Sequence, residues 1–202
     1  MPPNGAAGQV VWDHYVAIAE TGQLPVWIQN NKPPAGPVVP TNMMVKMLNE
    51  VEHVDYVKEE SHLPGQIMTE LLEKAGGAVK GLMGGMGGRY LVDEYRRGSA
   101  GTMPAGHITD AHVKLWNALD AGGIDSEGLQ IVTDEARTIW ERMIPSLNFE
   151  FMFGANAYKA AYYRRGIIKT PLTRNPANKY LDKLDYEELD TILDRMGNLL
   201  DR

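Results

Sequence analysis

Lys58 is the residue best placed to do covalent chemistry. It stands in Val54-Asp55-Tyr56-Val57-Lys58-Glu59-Glu60-Ser61, an apolar-rich stretch that predicts a strand. Strand alternation puts Val54, Tyr56 and Lys58 on one face and Val57 on the other. Lys58 falls near the C-terminal end of that strand, where α/β folds place their active sites. A lysine held among apolar neighbours loses ammonium solvation, which favours the neutral amine, a nucleophile for carbonyls. The bland alternative is a lysine ion-paired to Glu59 or Glu60 at a strand end. Those two carboxylates could also serve as a proton-transfer pair. More often such a pair is one inward group and one group bridged to its neighbours.

Other constellations carry less. Gly84-Gly85-Met86-Gly87-Gly88 meets neither the Walker pattern nor G-x-G-x-x-G, and predicts backbone approach to a substrate or a turn. The histidines at 14, 53, 62, 107 and 112 lack metal-ligand spacing. Tyr158, Lys159, Tyr162, Tyr163, Arg164 and Arg165 mix aromatic and basic groups, as a solvated or subunit-facing helix does.

The elements that must position these residues follow from periodicity and punctuation. A helix is expected from Gln9 to Ala19 and a buried strand from Leu24 to Asn30. The proline-rich stretch Asn31–Pro37 can be neither helix interior nor central strand. Thr41 caps a helix carrying Met43, Met44, Met47, Leu48 and Val51. Val54 to Glu60 is the next strand, and Leu63-Pro64 opens a helix stopped by Gly76-Gly77. Ala78 to Met83 is a third strand, Tyr90 to Arg96 a helix, and Ala100 to Met103 a fourth strand. Thr109 caps a helix through Leu119. Helices without intervening strands follow at Ser126–Met143, Asn156–Arg165 and Tyr186–Leu200, with an extended linker at Thr170–Pro176. Four strand–helix units and a helical tail predict an α/β fold with parallel, adjacent strands.

Composition bounds the class. The chain has 202 residues, is 44% hydrophobic and 23% charged, and so has the make-up of a globular domain. It contains no cysteine, which removes disulfides, thiolate metal sites and cysteine nucleophiles, and predicts a cytoplasmic protein. Its net charge of −6 argues against nucleic acid as a partner. No apolar run approaches the roughly 20 residues of a membrane span, and Met1–Gly5 predicts no secretory leader.

On these residues the chain resembles the dihydrodipicolinate synthase / N-acetylneuraminate lyase family of Schiff-base aldolases. Gly22–Asn30 resembles that family's fifth barrel strand, and Val54–Ser61 its sixth, with the lysine signature. Gly81–Gly88 resembles the seventh and Gly98–Met103 the eighth. Tyr158-Lys159-Ala160-Ala161, Gly166-Ile167-Ile168 and Thr170-Pro171-Leu172 resemble its C-terminal helical tail. The resemblance implies a partial (β/α)₈ barrel, its last four strand–helix units over residues 1–121, with a helical extension over residues 122–202. It implies that Lys58 forms a Schiff base with a 2-oxo acid, without a cofactor. Gln29, Asn30, Gly84, Gly85 and Met103 are the expected substrate contacts. The family's usual tyrosine is here Gln29, which cannot act as a phenol acid, and its distal arginine aligns with Pro34. Both departures point to an aldolase or dehydratase of 2-keto-3-deoxy sugar acids rather than to dihydrodipicolinate synthesis. The family's first strands and carboxylate-binding loop have no counterpart here. The alternative is therefore a truncated homologue, inactive without the missing half. Open sheet edges further predict a homo-oligomer.

Overall fold

The computed structural model describes residues 1–174 and 180–201. The described residues fall into two compact units. The first comprises Met1–Gly85, Tyr90–Met103 and Ser126–Gln130, and the second Met86–Arg89, Pro104–Asp125 and Ile131 onward.

The first unit alternates helix and strand in the order α1 (Gln9–Gly22), β1 (Val26–Asn30), α2 (Thr41–Glu50), β2 (Val54–Glu59), α3 (Pro64–Ala75), β3 (Gly81–Gly84) and α4 (Leu91–Arg96). The strands form one parallel sheet in the order β1-β2-β3. Residues Ala100–Met103, expected as a fourth strand, make only one parallel bridge, Gly84 to Thr102. Their backbone still runs alongside β3, with Ala100 N–H donating to Leu82 O at 2.8 Å and Gly84 N–H to Gly101 O at 3.0 Å.

Several element boundaries differ from expectation for local reasons. Leu24 and Pro25 lie outside β1, and Leu24 is exposed. Ala78 closes a 3₁₀ turn, Gly76–Ala78, so β3 begins three residues later, at Gly81. Thr41 is the first residue of α2 rather than its cap, and its hydroxyl donates to Glu70 at 3.1 Å. Thr109 likewise opens its helix, and its hydroxyl donates to Gly106 O.

The apolar residues of each element face a common core. Ile28 of β1, Val57 of β2, Leu82 of β3, Met44 and Met47 of α2, and Met68 and Leu71 of α3 are fully buried together. The methionines are thus core filler. Val54 also belongs to this core, beside Val57, and so does not share a face with Lys58. The register slips between Val26 and Trp27, and this irregularity breaks the two-residue alternation at the start of the pairing. Leu71→Ala removes a fully enclosed side chain and is expected to cost about 2–5 kcal/mol in a denaturant titration.

The second unit is helical: α5 (Thr109–Asp120), α6 (Asp134–Phe153), α7 (Ala155–Arg164) and α8 (Lys183–Met196). Helix α6 starts eight residues after Ser126 because Thr133 is its cap, accepting from Ala136 N–H at 3.0 Å. It continues through Pro145 to Phe153, where the sequence predicts a stop at Met143. The proline forfeits one helical hydrogen bond. Buried Met143, Ser146, Leu147 and Phe149 hold the helix on both sides of it. Helix α8 begins earlier than expected because Asp182 and Asp185 form a capping box. Arg142 donates to the carbonyls of Arg195 and Met196 at the end of α8. The expected linker Thr170–Pro176 lies in part outside the described residues.

Candidate active site

Lys58 lies on the face of the sheet opposite the helix-packed core. In-register pairing stacks this face in two layers. Trp27, Tyr56 and Gly81 form one layer, and Gln29, Lys58 and Met83 the next toward the C-terminal strand ends. The Trp27 and Tyr56 rings stack at 4.5 Å and make an aromatic floor below the lysine. Gly81 leaves room for that layer, since a Cβ there would stand 3.2 Å from the Tyr56 ring and the ring would have to shift.

Glu60 is the hub of the site. Its Oε2 lies 2.8 Å from Lys58 Nζ, and the two side chains are only 10% and 18% exposed. The same oxygen accepts from Gln29 Nε2 at 2.8 Å and from Asn31 Nδ2 at 3.4 Å. Glu60 N–H donates to Asn30 O at 2.8 Å, which prolongs the β1–β2 pairing to the carboxylate. On its other side the carboxylate lies against Gly85, whose Cβ, were there one, would fall 2.0 Å from Glu60 Oε1. Gln29, Lys58, Glu60 and Gly85 therefore converge at one strand end.

Asn30 faces the other way. It is buried, its Nδ2 donates to Glu59 Oε2 at 2.7 Å, and its Oδ1 accepts from Val39 N–H at 2.7 Å. It ties the loop before α2 to the strand ends. Glu59 also accepts from Ser61 N–H at 2.8 Å, and burial pushes its carboxyl above the ordinary range. The adjacent acids thus divide as the sequence allows: Glu59 is held by neutral donors in the interior, and Glu60 is paired to the lysine. Gly84 pairs in register with Glu59, and the Glu94 carboxyl of α4 fills the space where its side chain would be. Met103 N–H donates to Gly84 O at 3.0 Å, and the Met103 side chain is partly exposed.

Three residues carry more weight than their types suggest in sequence. The sequence offers Glu59 or Glu60 as the partner of Lys58, and period two selects Glu60, which stands two places beyond it. Glu94 breaks the apolar stripe Leu91, Val92, Tyr95. Tyr15 of α1 is fully buried and its hydroxyl accepts from Gln29 N–H at 3.0 Å, fixing the strand that carries Gln29. No sequence pattern marks that contact.

A surface cavity of about 400 Å³ lies elsewhere, beside Trp12, Glu20, Gln23, Glu50 and His53, where the chain enters β1 and β2. Lys58 and Glu60 sit at the opposite strand ends, so neither lines this cavity. Among the described residues no group of three or more His, Asp or Glu could hold a metal ion, and no helix is long and apolar enough to cross a membrane.

No family model matches the chain. Among curated proteins it is similar to an L-2-keto-3-deoxyarabonate dehydratase from Azospirillum brasilense, 24% identical over 182 residues, covering 87% of this chain and 56% of that protein. Among solved structures it superposes on the dihydrodipicolinate synthase of Rhodopseudomonas palustris with a TM-score of 0.81 and 20% identity, over 96% of this chain and 64% of that one. It superposes equally on a putative dihydrodipicolinate synthetase from Pseudomonas aeruginosa, with a TM-score of 0.81, 23% identity and the same coverage. The chain spans little more than half the length of the curated relative it matches. Sequence and fold together support membership of the dihydrodipicolinate synthase / N-acetylneuraminate lyase family, over the part of its length that this chain spans.

Proposed function

We propose that the chain carries the Schiff-base centre of a lyase acting on a 2-oxo acid, of the class that dehydrates or cleaves 2-keto-3-deoxy sugar acids. The observation that carries this is the contact of Lys58 Nζ with Glu60 at the C-terminal end of β2. Glu60 takes a proton from the Lys58 ammonium, and the freed amine adds to the C2 carbonyl. The carbinolamine loses its oxygen as water with a proton returned from Glu60, leaving an iminium. The iminium draws electrons from C3, and Glu60 is the base within reach of the C3 proton. The C4 hydroxyl leaves as water with the proton that Glu60 took from C3, and a further water hydrolyses the resulting unsaturated iminium to release the product and restore the Lys58 amine. Gln29 orients Glu60 by its amide and does not itself exchange protons. Gly85, against Glu60, and Met103 border the substrate, while Asn30 and Gly84, whose side-chain direction is filled by the Glu94 carboxyl, act from behind by fixing the strand ends. Dehydration is preferred over aldol cleavage because the curated relative is a dehydratase.

A second reading is a homologue silent on its own, favoured by the 56% of the dehydratase that the chain spans. We take the working form as a cytoplasmic homo-oligomer, since β1 has a single strand neighbour and the chain lacks cysteine.

Incubation with pyruvate and borohydride is expected to add one reduced adduct at Lys58, located by peptide mass spectrometry. Lys58→Ala should abolish it. Labelling that persists undiminished in Lys58→Ala would refute the assignment, and a folded wild-type chain that never labels would favour the silent homologue.

A further inference from the structure

The cavity of about 400 Å³ beside α1 lies within the first unit and apart from Lys58. One wall is a single stripe of α1, on which Trp12, Val16, Ala19 and Glu20 recur at helical spacing. The other is the end of α2 and the turn into β2, with Glu50, Val51 and Glu52. The volume is that of a small organic ligand. The walls combine the apolar surface of Trp12, Val16 and Val51 with three carboxylates, and no lysine or arginine lines them.

Two helix ends add to the negative field. Helix α1 ends at Gly22 and α2 at Glu50, and a helix C-terminus carries partial negative charge. Neither helix has a basic residue in its last turn to offset it. The one lining side chain that can become cationic, His53, lies 3.8 Å from Glu52.

The chain itself samples the fitting chemistry. Lys46 Nζ stands 4.7 Å from the Trp12 ring centroid and 3.7 Å from Glu50 Oε2. An alkylammonium is thus already seated against an indole ring and a carboxylate that both line the cavity. Glu20 and Glu52 pair with no lysine or arginine among the described residues. A metal ion fits the arrangement poorly, because among the described residues no three acidic or histidine side chains stand close enough to share one. Carboxylates spread along a partly apolar cleft match positive charges spread along a methylene chain.

We propose that this cleft binds an aliphatic polyamine, with its ammonium groups on Glu20, Glu50 and Glu52 and its methylene segments against Trp12, Val16 and Val51. The inference is independent of the proposed function, since no residue of the Lys58 site lines the cleft. The ligand bridges α1 to the turn entering β2, and so stabilises the folded chain by mass action.

The test titrates spermidine, a triamine, calorimetrically into the full chain in low-salt buffer near neutral pH. Saturable binding of one molecule per chain is expected, weakening as salt is added. Of the four tryptophan indole N–H signals in the NMR spectrum, that of Trp12, assigned through Trp12→Phe, should move with the same saturation. Glu20→Gln should weaken binding about two- to fivefold, and Glu20→Gln, Glu50→Gln and Glu52→Gln together at least about tenfold. These carboxylates are exposed, so the fold persists. The matched triple Glu187→Gln, Glu188→Gln and Asp194→Asn on α8 removes as many charges and should bind as wild type does. Equal weakening by the two triples would reduce the effect to the overall acidity of the chain and overturn the proposal, as would a Trp12 signal that stays still or binding that never saturates. Magnesium chloride should compete no better than sodium chloride of equal ionic strength. Stronger competition would make the cleft a metal site and overturn the polyamine assignment.

Discussion

Glu60→Gln is expected to lower exchange of the pyruvate methyl protons with solvent deuterium by about 10²- to 10⁴-fold, the usual contribution of one general base. The glutamine keeps the size of the side chain and can still bond to Gln29 and Asn31, so the fold should persist. What it loses is the ability to take a proton, first from the Lys58 ammonium 2.8 Å away and then from C3 of the iminium. These two roles separate by pH. Raising the pH frees the Lys58 amine without help, so borohydride trapping should recover in alkaline buffer. Proton exchange at C3 should not recover, because the glutamine amide cannot take the proton. NMR of the pyruvate methyl signal measures the second quantity and mass spectrometry of the adduct the first. Exchange within about threefold of wild type in Glu60→Gln would remove Glu60 from the chemistry.

Stability is expected to pass through a maximum with pH, with its two limbs set by one residue in each unit. Glu94 binds its proton more tightly in the folded chain, from an ordinary 4.5 up to about 8, chiefly by desolvation. Its favourable contribution is therefore complete below 4.5 and lost as pH rises through about 8. At about 1.4 kcal/mol per unit that limb amounts to roughly 3–5 kcal/mol. His107 behaves oppositely. It is buried, with Nδ1 unpartnered, and burial first, then the His112 and Arg165 charges, push it from 6.5 down to about 4. Its contribution is complete above 6.5 and lost as pH falls through about 4, a limb of about 3–4 kcal/mol. Denaturant midpoints measured across this range should show both limbs. Glu94→Gln should flatten only the alkaline limb and His107→Asn only the acid one. A stability curve with the same alkaline slope in Glu94→Gln would show that the carboxyl is not held neutral in the fold.

The sequence by itself determined the strand that carries Lys58 and the order of elements. Apolar periodicity located the helices around Met44, Met68 and Leu115, because burial is the main driving force and leaves a repeat that can be counted. Prolines and glycines marked the breaks for an equally local reason. Capping was less legible: Thr41 and Thr109 are the right residue type one place too late, since a hydroxyl can serve a neighbour instead of the helix end. The sequence predicts that this helix ends at Met143, and the packing of Met143 and Leu147 on either side of Pro145 carries α6 on to Phe153.

Only tertiary structure decided how the acids divide. Glu59 and Glu60 are adjacent and identical, yet strand geometry sends one to neutral donors inside and the other to Lys58. It decided that Asn30 supports the strand ends from behind rather than facing the lysine, because β1 and β2 pair Asn30 with Glu59. It also decided the charge of Glu94. A glutamate's proton affinity depends on what surrounds it, and those neighbours, Gly84, Glu59 and Glu60, come from strands that meet it only when the chain folds.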